Sequence, residues 1–166
     1  GMMFFSNPVA AMCNMYSALK PGGDLLFTAW RDLEETPWLS AGSETVLRYL
    51  PLPGSEAKVC GPGPFSMSNP AVVSDQLASA GFTDISAEPV DGPVMAGVDL
   101  EQAVEFQLAI GPAGEIVREA GETAESLRPM IVKAMHETLA PSRDETGRVV
   151  MQSASWIYRA RKPLEN

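Results

Sequence analysis

Hydrophobic and polar positions in the first thirty residues predict a strand, a helix and a second strand. Residues 2–5 form an apolar run that is typical of the end of a buried strand. Asn7 is a suitable N-cap, proline follows it at the first helical position, and apolar residues recur at helical spacing until the Lys-Pro-Gly-Gly sequence of 20–23. Asp24–Trp30 has an apolar centre, as expected for a strand covered on both faces. The order is that of a βαβ crossover with parallel strands.

The next stretch, 31–67, is irregular and rich in proline. It predicts one helix within 38–50 and a loop over 52–64. A glycine pair at 61 and 63 lacks both the third glycine and the preceding strand of a phosphate-binding fingerprint. We therefore expect no nucleotide site there.

A second helix and strand are predicted from the same start and stop signals as the first. Asn69 before a proline predicts a helix start, and Gly81 predicts its end. Residues 82–90 alternate between apolar and polar, which indicates a strand nearer the edge of the sheet.

Residues 92–143 change character and predict helices. Asp99 with Gln102 resembles a capping box before an amphipathic stretch that ends at a Gly-Pro pair. A short helix is expected over 113–120, and a longer one is expected to begin near Glu125, which keeps Pro129 in the first turn. The chain then closes with a strand over 149–160.

Composition narrows the classes of function. The 166 residues carry 12 Lys and Arg against 21 Asp and Glu, a net charge of -9 that argues against nucleic acid as a partner. No apolar run is long enough to span a bilayer and no signal peptide precedes the first helix, so we expect no membrane partner and a cytoplasmic location. Cys13 and Cys60 lie outside any metal-ligand spacing, so no metal site is expected.

Several segments together resemble the class I S-adenosylmethionine-dependent methyltransferases, and among them the type 11 methyltransferases. Residues 3–8, followed by Leu-Lys-Pro-Gly-Gly at 19–23 and a strand ending in Trp30-Arg31, are similar to that family's passage from its fourth to its fifth strand. The Ala-Gly-Phe sequence of 80–82 resembles the entry to the sixth strand, and 156–163 resembles the antiparallel seventh strand. The resemblance covers nearly the whole chain.

This resemblance implies an α/β fold with a partial Rossmann-like sheet, its strands equivalent to the family's fourth, fifth, seventh and sixth, in that order. Residues 1–166 are expected to form a single domain, the C-terminal part of a methyltransferase fold, in which 92–143 is a helical insertion. The family's glycine-rich cofactor loop after its first strand and the acidic residue that ends its second belong to a half that has no counterpart here. Gly1 before Met2 is typical of tag removal, and the apolar start at residue 2 predicts that an N-terminal half is missing.

The expected activity follows from the resemblance. S-adenosylmethionine is the cofactor of the full-length family, and we expect this chain alone to bind none and to be inactive by itself. Methyl transfer needs alignment rather than a fixed set of catalytic side chains, and the sequence predicts no catalytic residue. The residues expected to contact the methyl acceptor are Trp30, Arg31, Trp38, Phe65 and Met67. For any one of them, ordinary packing or a solvated charge is the simpler interpretation.

Two classes of function remain open from the sequence. The first is the acceptor-binding part of a methyltransferase that acts on a small molecule. The second is a non-catalytic module that forms a homodimer, because an exposed apolar sheet edge is rarely left uncovered. His136, the only histidine, is expected at the surface rather than in catalysis.

Overall fold

The structure, a computed structural model, describes residues 1–50 and 62–164. The predicted loop over 52–64 therefore lies almost entirely outside the described residues. The described chain divides into two compact units. Of the described residues, unit 1 contains 1–32, 62–91 and 154–164, and unit 2 contains 33–50 and 92–153. The helices and strands are α1 Pro8–Ala18, β1 Asp24–Trp30, α2 Pro37–Val46, α3 Pro70–Ser79, β2 Thr83–Gly97, α4 Leu100–Ala109, α5 Gly111–Ala120, α6 Glu122–Leu139 and β3 Val149–Arg161.

The three strands form one sheet in the order β1-β3-β2. β1 pairs with β3 in antiparallel register, from Asp24 opposite Arg161 to Trp30 opposite Ser155. Both β2 and β3 pass from one unit into the other, at 91–92 and at 153–154. The last strand of the chain thus lies between the two earlier ones.

Side chains on one face of the sheet in unit 1 form the core with α1 and α3. Tyr158 is fully buried and stacks on Phe27 with ring centroids 5.0 Å apart. Tyr16 of α1 meets Phe82 edge-to-face at 5.2 Å. The opposite face is more open, because Leu26 of β1 keeps 64% of its surface exposed. The residues buried in this core are Met2, Met12, Ala29, Met67, Val73, Leu77, Ala80, Phe82, Tyr158 and Ala160.

The predicted strand at the start of the chain is wrong. Met2–Phe4 is a 3-10 helix, in which the Phe4 amide donates to the Gly1 carbonyl at 3.1 Å. The described sheet contains no strand equivalent to the family's fourth, so the four-strand order expected from the resemblance is not observed. A three-residue strand without a paired neighbour would leave its amides unbonded, whereas the local turn satisfies one of them.

The Lys-Pro-Gly-Gly turn is fixed by the end of the chain. Gly22 has a φ of +75°, which favours glycine, and its amide donates to the Lys162 carbonyl at 2.9 Å. The Lys162 amide donates in return to the Gly23 carbonyl at 2.9 Å. Its ammonium donates to the carbonyls of Tyr16 and Leu19, at 3.1 and 2.9 Å. The C-terminal end of α1 is therefore held by a residue far away in sequence.

Unit 2 is a helical assembly of α2, α4, α5 and α6, with α2 packed against α5 and α6. Asp99 caps α4, and its side chain accepts from the Gln102 amide at 2.8 Å, as the sequence predicts. Helix α6 begins at Glu122 rather than near Glu125, so Pro129 lies inside it and not in its first turn. Pro129 is exposed, which lets water bond the carbonyl that its missing N–H leaves free.

Strand β2 is longer than predicted. It runs to Gly97 instead of ending near Val90, so the helical stretch expected from residue 92 begins only at Leu100. The additional residues, 91–97, include Pro93, and Pro89 lies within the part that was predicted. β2 has one described neighbour, β3, and a strand with a neighbour on one side tolerates proline where its N–H would point away from that neighbour.

Candidate functional site

Helices α1 and α3 begin at the same end of unit 1. Each runs to a short turn and continues into a strand, α1 into β1 and α3 into β2, so the strands run back toward the helix starts. Trp30, at the end of β1, therefore lies at the end of the unit where α1 and α3 begin. In α/β sheets with parallel strands, ligands bind outside the carboxyl ends of those strands, which corresponds to the Trp30 end of β1, although β1 pairs with β3 in antiparallel register.

Both helix starts are capped as the sequence predicts. The Asn7 side chain accepts a hydrogen bond from the Ala10 amide at 3.0 Å. The Asn69 side chain accepts from the amides of Ala71 and Val72 at 3.0 and 3.4 Å. These caps fix the direction in which each chain segment enters its helix.

A cavity of 480 Å³ lies between the two helix starts and is the candidate site. Its wall is formed by the N-terminal segment, the loop before α3 and the first turns of both helices. Apolar side chains dominate the wall, and none of the described residues that line it carries a charge. The described lining is Met2, Phe5, Ser6, Pro8, Pro62, Phe65, Ser66, Met67, Ser68, Asn69, Val72 and Gln76.

Two aromatic side chains of β3 hold the loop before α3. The Trp156 indole donates to the Ser68 carbonyl at 2.7 Å, and the Tyr158 hydroxyl donates to the Met67 carbonyl at 2.8 Å. Trp156 and Tyr158 are two residues apart and so share one face of the strand. Burial raises the pKa of the Tyr158 hydroxyl well above its usual range, so it stays a donor.

The other side of the loop is tied to the start of the chain. The Ser66 hydroxyl donates to the Met3 carbonyl at 2.6 Å, and the Gly63 amide donates to the same carbonyl at 3.0 Å. The wall of the cavity is thus fixed by hydrogen bonds on two sides. Such a preformed cavity is typical of a small-molecule site.

The five residues predicted to contact the acceptor fall into three places. Phe65 and Met67 line the cavity. Trp30 and Arg31 end β1 at the same end of unit 1, but they are not among its lining residues. Trp38 belongs to unit 2, where it is 7% exposed and its ring lies 6.0 Å from that of Phe106.

Arg31 is linked to the cavity through Trp156. Its guanidinium lies 5.3 Å from the centroid of the Trp156 ring, and the indole of Trp156 bonds Ser68 in the cavity wall. Arg31 also pairs with Asp91 at 3.0 Å. Trp156 was not predicted as a site residue, because its place in the C-terminal strand pattern indicates only packing.

Gln76 and Ser68 also line the cavity, and the sequence did not predict either as a site residue. Gln76 lies one helical turn after Val72, so both line the cavity from the same face of α3. The neighbouring face of α3 carries Val73 and Leu77 into the core. The only sequence feature that could have indicated Gln76 is its place beside the apolar stripe of α3. Polar residues at such positions are common on helix surfaces, so the feature is not specific.

The described lining does not fit S-adenosylmethionine. That cofactor carries an ammonium, a carboxylate and a sulfonium, and each would need a charged or strongly polar partner if removed from water. The described cavity wall offers hydroxyls, amides and apolar groups alone. The described wall therefore offers the charged groups of the cofactor no charged partner.

The described part of the chain shows neither a cluster of metal-binding side chains nor a helix suited to spanning a membrane. It holds no group of three or more His, Cys, Asp or Glu side chains placed to bind one metal ion. None of its helices combines the length and the apolar character needed to cross a membrane. His136 belongs to unit 2, where it is half-buried and its Nε2 lies 3.3 Å from a Glu101 carboxylate oxygen.

Comparison with known proteins gives a distant structural likeness. No family model matches the sequence, and no curated protein matches it. Among solved structures, the chain is similar to a crystal structure from Bacillus halodurans C-125 described as a "putative methyltransferase". The two sequences are 15% identical, the TM-score is 0.45, and the match covers 98% of this chain. It covers 66% of that protein, so the chain spans slightly less than two thirds of its length.

Proposed function

We propose that this chain is methyltransferase-like and supplies the surface that binds a small methyl acceptor. The cavity between the starts of α1 and α3 carries the proposal, because it joins an apolar interior to two of the expected acceptor-side residues, Phe65 and Met67. The turn at 19–23 between α1 and β1, and the C-terminal strand between β1 and β2, support the relation to methyltransferases.

The cofactor is expected to bind elsewhere than in this cavity. The family's S-adenosylmethionine would need a glycine-rich loop after a strand, and these 166 residues contain no such motif. We therefore propose that this chain alone binds the cofactor weakly or not at all, and that it does not transfer a methyl group by itself.

Ligand-binding measurements on the 166-residue chain test the proposal. Small neutral aromatic molecules should raise its melting temperature, whereas S-adenosylmethionine at the same concentration should not. Isothermal titration calorimetry with S-adenosylmethionine then measures directly whether the chain binds the cofactor. Binding with a micromolar Kd would overturn the assignment of this surface to the acceptor alone.

A second candidate is a non-catalytic homodimer. Leu26 on β1 and Phe4 in the N-terminal 3-10 helix are exposed by 64% and 59%, so unit 1 presents apolar groups to solvent. β1 also has no proline or charge between Asp24 and Trp30, whereas β2 carries both. Light scattering at micromolar concentration discriminates the two, since a monomer with ligand-dependent stability favours the first candidate.

A further inference from the structure

The outer side of α1 forms a groove in unit 1. We infer that this groove is the surface on which a second copy of the chain binds, with the two α1 helices antiparallel across a twofold axis. The inference rests on the second candidate function, the homodimer, and deepens it by naming the contact surface. The proposed binding of a methyl acceptor does not depend on it.

The groove has a volume of 510 Å³ and follows α1 along its length. Asn7, Ala11, Asn14 and Ala18 succeed one another at intervals of four, three and four residues, so they share one side of the helix. Met12 lies on the other side, where it is fully buried in the core of unit 1. The groove therefore occupies the side of α1 that faces away from this core. The described lining is Phe5, Ser6, Asn7, Ala10, Ala11, Asn14, Met15 and Ala18.

The two ends of the groove differ in the size of their side chains. Phe5 lines the end at the start of α1, where it is 44% exposed, and the preceding Phe4 is 59% exposed. Asn14 and Ala18 line the other end with short side chains. An antiparallel second copy places the aromatic end of each groove opposite the short-chain end of the other, so the surface is complementary to itself. Large side chains then fill the spaces that small ones leave between packed helices.

The distribution of charge favours the same surface. Of the described charged residues, unit 2 carries 13 acidic and 6 basic side chains, whereas unit 1 carries 6 acidic and 5 basic ones. Two copies that met through unit 2 would oppose like charges, which weakens association. The sequence of α1, PVAAMCNMYSA, contains no charged residue. A chain with a net charge of -9 can therefore approach its own copy through α1 with little repulsion.

The helix dipoles support the antiparallel orientation, because the positive start of each helix then lies beside the negative end of the other. α1 has 11 residues and is about 16 Å long, so the contact between two such helices is small. We therefore expect a dimer that dissociates in the micromolar range rather than an obligate one.

Sedimentation velocity over a concentration series tests the inference. Asn14 is exposed in the groove, and Asn14→Asp keeps the shape of the side chain while it places two carboxylates close to the twofold axis. We expect the Kd of the dimer to rise at least about tenfold, because like charges then face each other. Ala78→Asp, which adds the same charge at an exposed position of α3 outside the groove, is the control and should leave the Kd unchanged.

Cross-linking locates the contact without adding a charge to it. In a chain that lacks its native cysteines through Cys13→Ser and Cys60→Ser, Asn14→Cys should give a covalent dimer with a short bismaleimide, because the two new thiols lie near the axis. Thr28→Cys, a change at an exposed position of β1, is the matched control and should give none.

The outcomes separate the contact surface from the candidate functions. A chain that stays monomeric at high micromolar concentration would overturn the α1 contact and the second candidate, and leave acceptor binding untouched. A dimer that Asn14→Asp does not weaken, or that Thr28→Cys links in place of Asn14→Cys, would overturn the α1 contact and leave a homodimer formed through another surface. The response of the melting temperature to small neutral aromatic molecules bears on acceptor binding alone.

Discussion

The guanidinium of Arg31 lies 5.3 Å from the ring centroid of Trp156, whose indole donates a hydrogen bond to the Ser68 carbonyl at 2.7 Å. The end of β1, the middle of β3 and the loop before α3 are therefore joined through one side chain. A cation over an indole and a bonded indole N–H both restrict the ring. Trp156 is thus expected to control the position of the cavity wall.

Substituting Trp156 with phenylalanine should weaken this control. Trp156→Phe removes the donor to Ser68 and should lower the free energy of unfolding by about 1 kcal/mol in urea denaturation. It should also weaken binding of small neutral aromatic molecules, because the loop carrying Phe65 and Met67 loses one of its restraints. Wild-type affinity in a destabilised Trp156→Phe variant would show that the wall is held without the indole.

The hydroxyl of Tyr158 should also stabilise the loop before α3, through a hydrogen bond made from the core. Tyr158→Phe keeps the ring stacked on Phe27 and removes the bond to the Met67 carbonyl. That carbonyl would stay buried with one partner fewer, so we expect a loss of about 1 to 2 kcal/mol in unfolding free energy. Tyr49→Phe, a change of a half-buried tyrosine in unit 2, is the control and should alter stability by less than about 0.5 kcal/mol.

Lys162 should stabilise the C-terminal end of α1. Lys162→Met keeps an apolar stem but removes the ammonium that donates to the Tyr16 and Leu19 carbonyls. A positive charge at a helix C-terminus is favourable, and its loss with two hydrogen bonds should cost about 1 to 2 kcal/mol. Thermal denaturation followed by circular dichroism measures the change.

Lys20→Met provides the matched control, because Lys20 is exposed in the turn after the same helix. Its effect should stay within about 0.5 kcal/mol. Equal effects of the two substitutions would mean that net charge, and not the bonds to α1, accounts for the loss.

Local signals predicted much of this fold, and long-range partners account for what they missed. The starts of α1 and α3 follow from Asn7 and Asn69, because capping involves neighbours in sequence. The apolar run at Met2–Phe4 has the composition of a strand, but strand formation needs a partner that composition does not reveal. Pro129 lies within α6 because that position faces solvent, which depends on tertiary packing.

The candidate site likewise combines residues that the local sequence predicts with residues whose roles depend on long-range contacts. Phe65 and Met67 were predicted from their place in a loop near the expected ligand-binding edge, and both line the cavity. The roles of Trp156 and Gln76 depend on how β3 and α3 meet that loop. No spacing within the sequence reports such a contact.

Stability at acidic pH should depend on Asp24. Its carboxylate accepts from Arg161 Nε and Arg159 Nη2, each at 2.9 Å, across the β1–β3 pair. The hydrogen bond from Arg161, followed by that from Arg159, lowers the pKa of Asp24 from 3.8 to about 2. Because the folded-state pKa is the lower one, Asp24 stabilises the fold above about pH 4, and this contribution is lost as the pH falls toward about 2.

The comparison of wild type with Asp24→Asn isolates this contribution. Asp144 also loses a stabilising contribution as the pH falls, because hydrogen bonds from Thr146 and Arg148 lower its pKa to about 2. Asp144 is present in both proteins, so its contribution cancels in the comparison. The difference in unfolding free energy between wild type and Asp24→Asn should be largest near neutral pH and shrink between about pH 4 and about pH 2. Urea denaturation at several pH values measures this difference, and Asp75→Asn, a change at an exposed position of α3, is the control. A difference that stays constant over this range would rule out the ionised Asp24 as its source.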